Sequence, residues 1–347
     1  MIYDHYEAPE GLAKLTHRKD RIMEIKPRGY QDKSDLLAIG SLIRQIYQLD
    51  PYYNSWSFAL YDIWAQRKLG DQEVFGITDW QQNIRLWEEQ KTGLLGAAVF
   101  RDPDLVKMIT FPEHQNLLIP MLDWVEARCR QKVISDKQLK IETSDHNPFF
   151  EKLLVSQGYE KGSGYYIYRE KDLTARQNEL VILPPGFAIQ HIASANDLKK
   201  FHCGTELVFN FPDNPDVYQI LRQAPSFVPE LDLIVLSPRG EIASFGSIWF
   251  DRSLSLAEFE PVGTVPEFRK LGLGSALIAE ACNRLRTLGC RKVTVMSWSE
   301  SVGANRLYER AGLLPKTKKN YWKWDQQKNL FRTTDSSRST SKRGGKH

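Results

Sequence analysis

The sequence predicts a mixed α/β protein (an α+β mixed sheet) built from two copies of one unit arranged in tandem. Three observations predict this. Strand and helix patterns run in one order to Arg169, cross a polar stretch bearing Pro184 and Pro185, and then run in that order again. Short matches recur at corresponding places in the two runs. Thr110-Phe111-Pro112-Glu113 and Thr264-Val265-Pro266-Glu267 each precede a helix; Asn147-x-x-Phe150-x-x-Leu153-Leu154-x-x-x-Gly158 has the spacing of Ser301-x-x-Ala304-x-x-Leu307-Tyr308-x-x-x-Gly312; Tyr165-Tyr166-Ile167-Tyr168 parallels Tyr321-Trp322-Lys323-Trp324. Finally, 347 residues suffice for two domains of ordinary size.

In the first copy, residues 1–20 are polar and read as an extended arm, and Arg21–Pro27 as a short alternating strand. Lys33–Leu49 has helical spacing (Leu36, Ile39, Leu42, Ile43, Ile46), and a turn at Pro51–Trp56 leads to a helix at Phe58–Gln66. Trp80–Glu88 is polar with spaced tryptophans. Thr92–Phe100 and Leu105–Thr110 read as strands, Leu117–Arg130 as a helix, Leu139–Thr143 as a strand, Asn147–Gln157 as a helix closed by Gly158, and Tyr165–Arg169 as an aromatic strand. Lys171–Gly186 is the linker. The second copy then gives a strand at Phe187–Ile192, helices at Ala195–Phe201 and Asp216–Gln223, and strands at Leu231–Leu236 and Ile242–Phe250 around a turn at Ser237–Gly240. A central strand, a helix at Ser275–Thr287, a strand at Arg291–Met296, a helix at Gly303–Ala311 and a strand at Tyr321–Trp324 complete it. The chain thus divides into 1–170, a linker at 171–186, 187–327, and a basic tail at 328–347.

Composition narrows the function classes. With 41% hydrophobic and 26% charged residues the chain reads as soluble and globular, and no run of eighteen apolar residues suggests a membrane span. The amino terminus shows no apolar core of a signal peptide, and the four cysteines lack C-x-x-C spacing, so a reducing cytoplasm is expected. The formal charge of +4 is local: from Lys328 onward six basic residues face one aspartate, and the remainder is close to −1. The body has no basic stripe of a dedicated nucleic-acid binder, and no His/Cys/Asp cluster has metal-ligand spacing.

The chemistry concentrates in Glu260–Gly274. A strand breaks at Pro266 into Arg269-x-x-Gly272-x-Gly274, which opens directly into a helix. Such a loop presents free backbone N–H groups and a helix N-terminus to an anion. A dinucleotide fingerprint fails because Leu277 stands where its third glycine belongs, and Walker A fails for want of Gly-Lys-Ser/Thr. The loop resembles the acyl-CoA pyrophosphate loop of the GNAT (Gcn-related N-acetyltransferase) superfamily. Ala304-Asn305-Arg306-Leu307-Tyr308-Glu309-Arg310-Ala311-Gly312-Leu313 looks like that superfamily's A-x-x-L-Y-x-x-x-G-F/L element, at the right distance. The resemblance covers most of 187–325 and, more faintly, 21–170; it implies two tandem GNAT-like acyl-CoA N-acyltransferase domains.

What the resemblance implies is direct transfer of an acetyl group from acetyl-CoA to an amine, without a catalytic metal. The backbone N–H of Val265 would polarise the thioester oxygen. The amides of Arg269, Lys270, Leu271, Gly272, Leu273, Gly274 and Ser275 would hold the pyrophosphate. Tyr308 matches the general acid that protonates the departing thiolate. Ser301 stands where many relatives have asparagine, and Asn305 would replace that cofactor contact. Glu258 and Glu260, two apart on one strand, share a face beside the loop, and either could take the amine's proton. The first copy has Glu113-His114-Gln115-Asn116-Leu117-Leu118 in place of the glycine loop and Leu154 in place of Tyr308, so it reads as degenerate; a weak second acyl-CoA site is the alternative.

The acceptor is expected to be an amine-bearing small molecule or peptide. Phe209, Phe211, Tyr218 and Phe227, with Asp213, Asp216 and Glu230, would form an aromatic, acidic wall for a cationic amine or would pack helices onto the sheet. Two other functions stay open: a longer-chain acyl or aminoacyl transferase on the same fold, and a non-catalytic acyl-CoA sensor or interaction module. The acceptor's identity and the oligomeric state, homo-oligomer included, are not encoded in any of these patterns.

Overall fold

Lys33–Leu49 folds as a helix (α1) because Asp32 caps it, accepting the Ser34 N–H at 2.7 Å, and because one stripe is apolar. Leu36, Ile39, Leu42, Ile43 and Ile46 on that stripe are fully buried. Each contributes roughly 1.5–3 kcal/mol of transfer free energy. The structure is a computed structural model, and it describes residues 25–53, 56–70, 79–131, 138–175, 177–210 and 215–325. The expected N-terminal arm and the basic tail lie outside the described residues.

The first copy contributes β1 (Lys26–Gly29), α1, α2 (Phe58–Leu69), a 3-10 turn at Trp80–Asn83, β2 (Ile84–Glu89), β3 (Gly93–Phe100) and β4 (Leu105–Thr110). A 3-10 segment at Pro112–Leu117 leads into α3 (Leu118–Gln131), β5 (Gln138–Ser144), α4 (Pro148–Ser156) and β6 (Glu160–Asp172). The second contributes β7 (Ala188–His191), α5 (Ala195–Phe209), α6 (Pro215–Leu221), a 3-10 turn at Pro229–Leu231, β8 (Asp232–Leu236), β9 (Ile242–Asp251) and β10 (Leu256–Thr264). A 3-10 turn at Pro266–Phe268 leads into α7 (Leu273–Thr287), β11 (Lys292–Trp298), α8 (Val302–Arg310) and β12 (Leu314–Asp325). Type by type the two series are the same.

All the strands join one mixed sheet of twelve, in the order β1-β2-β3-β4-β5-β12-β6-β11-β10-β9-β8-β7. The centre of this order is an exchange. Strand β6 of the first copy lies against β11 of the second, with Arg169 opposite Val295, while β12 of the second lies against β5 of the first, with Tyr321 opposite Glu142. The two exchanged strands pair with each other. Neither series therefore closes its own sheet. The chain after β6 is strapped to α7: Glu179 exchanges two hydrogen bonds with Asn283 and forms ion pairs with Lys171 and Arg286.

Two differences from the sequence reading have clear causes. Ile84–Glu89, read as polar, is a strand whose Leu86 and Trp87 are buried on opposite faces, so alternation is lost. Strand β6 extends well beyond its aromatic centre because its polar ends pair with β11 and β12.

The helices of the first copy also cover the second. Arg44 on α1 forms an ion pair with Asp251 at 2.5 Å, and Asp62 on α2 accepts from Ser226 at 2.6 Å. The core cluster around α1 and α2 takes in Ala224, Trp249 and Leu256 of the second copy. This roof lies over the face of β10 that carries Glu258.

Candidate active site

Strands β10 and β11 run parallel and pair only from Leu256↔Lys292 to Phe259↔Val295. Beyond that point they part, and β11 goes on beside β6 as far as Trp298. On its other side β10 stays with β9, with a register shift between Phe259 and Val262. The segment from Glu260 to Thr264 therefore has a strand neighbour on one edge and an open cleft on the other.

At the mouth of this cleft α7 begins at Gly272, whose φ of 80° is left-handed and whose cap position offers no side-chain bond to the first-turn amides. A Cβ on Gly272 would meet nothing within 4 Å, so its backbone can be approached from solvent. Gly274 has the opposite constraint: a Cβ there would lie 3.0 Å from Leu307 on α8 and 3.5 Å from the Thr264 hydroxyl. Arg269, Lys270, Leu271 and Ser275 are exposed around the opening, and Arg269 bonds back to the Thr264 carbonyl at 3.1 Å. The Leu273 side chain is core, leaving its amide at the first turn. An open groove of about 370 Å³ runs from Leu271, Gly272, Ser275 and Ala276 to Leu180–Pro184 of the connecting segment.

Three expected contacts are committed elsewhere, the first being the Arg269 N–H, which donates to the Pro266 carbonyl at 3.3 Å. The Val265 N–H donates to the Ala243 carbonyl at 3.0 Å, so it faces β9 and is not available to a thioester oxygen. Successive amides of a strand alternate edges, which turns those of Thr264 and Val262 toward the open cleft. The Asn305 side chain is also used up. Its Nδ2 donates to the carbonyls of Trp298 (3.2 Å) and Ser299 (3.1 Å), and its Oδ1 accepts from Ser297 (2.7 Å) and Arg169 (3.3 Å). Asn305 ties α8 to the end of β11 rather than facing the loop.

Glu260 begins the parted segment of β10 and acts electrostatically on Tyr308, while Glu258 lies two residues before it in the stretch still paired with β11. Glu258 is 1% exposed; Ser57 at the start of α2 donates to its Oε1 at 2.8 Å, and its Oε2 has no partner. Burial pushes this carboxyl up to about 8, Glu260 adds to the rise, and Ser57 and Lys319 oppose it. Glu260 is enclosed on most sides but keeps some open surface; burial pushes its carboxyl up to about 7, with Arg101 pulling it down. Tyr308 on α8 is 6% exposed, and burial and then Glu260 hold its phenol well above the ordinary tyrosine range, while Arg169 works the other way. Burial thus favours the protonated tyrosine and raises both carboxyls toward neutral pH, Glu258 further than Glu260.

Ser57, Arg101 and Arg169, all from the first copy, had no signal in the sequence. Ser57 lies 201 residues from Glu258, and nothing local marks the pair. Of the aromatics weighed as an acceptor wall, Tyr218 is buried against Phe201 and Phe227 contacts both Tyr218 and Trp249, so these two pack the fold, while Phe209 is 37% exposed. Phe211 and Asp213 lie outside the described residues. Among the described residues no group of three or more His, Cys, Asp and Glu could hold a metal ion, and no helix is long and apolar enough to cross a membrane.

The corresponding region of the first copy is closed. Strand β4 pairs with β5 at Leu105↔Lys140 and Val106↔Ile141 and then parts from it, as β10 does from β11. The gap is filled: Tyr53, Met108, Leu118 and Phe150 leave about 10 Å³. No register shift interrupts β4, and the chain after it runs as the glycine-free segment Pro112–Leu117. Leu154 is fully buried in the local core.

A continuous mixed sheet, a cleft between parting parallel strands and an uncapped helix start characterise this α/β fold. Residues 199–313 match the family model described as "Acetyltransferase (GNAT) family", and the chain is similar to that family there. It is 27% identical over 133 residues to "Uncharacterized N-acetyltransferase YjhQ" of Escherichia coli (strain K12), spanning 36% of this chain and 68% of that protein. Its fold is similar to that of a GCN5-related N-acetyltransferase from Sphaerobacter thermophilus, with a TM-score of 0.60, 19% identity, and coverage of 87% of this chain and 95% of that one. It is also similar to a tandem GNAT protein from the clavulanic acid biosynthesis pathway, with a TM-score of 0.61, 11% identity, and coverage of 87% and 98%.

Proposed function

We propose that this chain is an N-acetyltransferase that moves an acetyl group from acetyl-CoA directly to an amine of a small molecule or peptide, and that it does so in the second copy. The observation that carries the reading is the cleft: an unpaired β10 edge that ends in an uncapped, glycine-led helix start. Acetyl-CoA would lay its pyrophosphate on the amides of residues 270–275 and its pantetheine along the edge of β10. Gly272 permits the close approach, and Gly274 lets α7 and α8 meet behind it. The open-edge amides of Val262 and Thr264 are the candidates to stabilise charge on the thioester oxygen.

Glu260 is the better base of the two carboxylates. A group poised near 7 is partly ionised at neutral pH and retains enough basicity to accept the ammonium's proton. Glu258, higher and shut beneath Ser57, holds a neighbouring proton and so limits how negative the pair becomes. The neutral amine attacks the carbonyl carbon, the tetrahedral intermediate collapses, Tyr308 donates its proton to the CoA sulfur as the C–S bond breaks, and the second proton shed by the acylated nitrogen returns to the tyrosine oxygen through solvent.

The test is calorimetric titration with acetyl-CoA, followed by an acetylation screen with spermidine, tyramine, glucosamine and a lysine-bearing peptide. One acetyl-CoA site and transfer to at least one class of amine are expected. Absence of acetyl-CoA binding would remove the proposal at its root.

A further inference from the structure

We propose that Arg169, carried into the second copy by the exchanged strand β6, is the positioning residue for Tyr308. The inference rests on the reading of Tyr308 as the acid. Arg169 is 1% exposed, among the largest fully buried side chains of the protein. A buried guanidinium is costly unless its donors are matched, and here two of the four acceptors that match them lie on the element that carries Tyr308. Nη2 donates to Asn305 Oδ1 at 3.3 Å and to Glu309 Oε1 at 3.1 Å, Nη1 to the Leu313 carbonyl at 3.5 Å, and Nε to Ser297 Oγ at 3.3 Å.

These acceptors bracket the tyrosine. Asn305 is one turn before it on α8, Glu309 follows it directly, and Leu313 returns its own N–H to the Tyr308 carbonyl at 2.9 Å. Ser297 and Asn305 also bond to each other, at 2.7 Å, so β11, α8 and the start of β12 are joined through one cation. The Glu309 contact is the weakest support, because that side chain is 53% exposed and solvent screens it. The fixed planar fork of arginine suits four acceptors on three segments; a lysine in its place could reach one or two.

The first copy has a weaker counterpart. There Asn320 of the other exchanged strand donates to Glu151 on α4 at 2.6 Å, and Glu151 also accepts from Thr143 of β5. That helix carries Leu154 where α8 carries Tyr308, so the clamp has no proton donor to place. Each copy thus holds its last helix with a residue from the other copy's strand, but only in the second is that crossing residue itself charged, a buried guanidinium against the neutral amide of Asn320.

The experiment uses the full chain carrying 3-fluorotyrosine at position 308, with Arg169→Lys, Ser297→Ala and Tyr308→Phe. The fluorine resonance should shift and broaden in Arg169→Lys and move less in Ser297→Ala, while the acetyl-CoA affinity stays within about threefold of wild type. An unmoved resonance in a folded Arg169→Lys protein overturns the proposal, with no acceptor needed. With the amine that reacts in the screen, Arg169→Lys should lower kcat about tenfold to a hundredfold, as expected for a misplaced catalytic group. That loss should disappear in the Tyr308→Phe background. A loss that persists there overturns the positioning role alone; full activity of Tyr308→Phe by itself overturns the acid assignment instead.

Discussion

The two clefts of this protein occupy matched places in one sheet and have opposite fates. In the second copy β10 parts from β11, shifts register and ends at Thr264, and Gly272 opens the helix that follows, leaving an unpaired strand edge beside free amides. In the first copy β4 parts from β5 as well, but Tyr53, Met108, Leu118 and Phe150 move into the gap, and Lys107 and Glu142 form a buried ion pair beside it. A parting of parallel strands does not by itself make a binding site. It becomes one only where side chains stay out and backbone amides stay unspent.

The sharpest way to break this comparison is at the acid–base pair. Glu260→Gln should lower kcat by about a hundredfold to ten-thousandfold with acetyl-CoA affinity intact, since general base catalysis is worth that much. Tyr308→Phe should cost less, on the order of a hundredfold, whereas Leu154→Ala at the matched position should leave kcat unchanged. It should instead destabilise the fold by about 2–5 kcal/mol in a denaturant titration, because Leu154 only fills space. If Leu154→Ala impaired turnover with the fold intact, the first copy would have to be counted in the chemistry.

Acetyl-CoA binding gives the next largest effect. Gly274→Val should abolish the calorimetric site, because the new side chain would meet Leu307 and separate α8 from α7. Asn116→Val in the glycine-free segment of the first copy should change nothing. Two binding sites in wild-type protein, one of them surviving Gly274→Val, would mean that both clefts load.

The pH dependence is smaller and tests the carboxylates. With Glu260 pushed up to about 7, kcat/KM should rise as pH climbs through that value and the base ionises. Stability should move the other way through Glu258, whose folded value of about 8 lies above its ordinary one. The folded state holds that proton more tightly, so the contribution is fully present below the unfolded pKa, falls as pH rises from there, and is gone above about 8. Comparing Glu258→Gln with wild type should remove this decline in thermal melts between pH 5 and 8; parallel melting curves would show that Glu258 is not the group responsible.

By itself, the sequence determined what depends on neighbours in the chain. Helical spacing located α1 at Lys33–Leu49, the Pro266 break and Gly272 marked the loop, and three spaced matches disclosed the repeated order. These signals survive in one dimension because helix periodicity, glycine dihedrals and turn chemistry act over a few residues. Tertiary structure decided the rest. It exchanged β6 and β12, spent the Val265 amide on Ala243 and the Asn305 side chain on β11, and set Ser57 on Glu258 and Arg169 under Tyr308. The bonds of Ser57 to Glu258 and of Arg169 to Glu309, which join residues more than a hundred positions apart, leave no periodic trace, because their partners are chosen by where the folded sheet brings them and not by spacing along the chain.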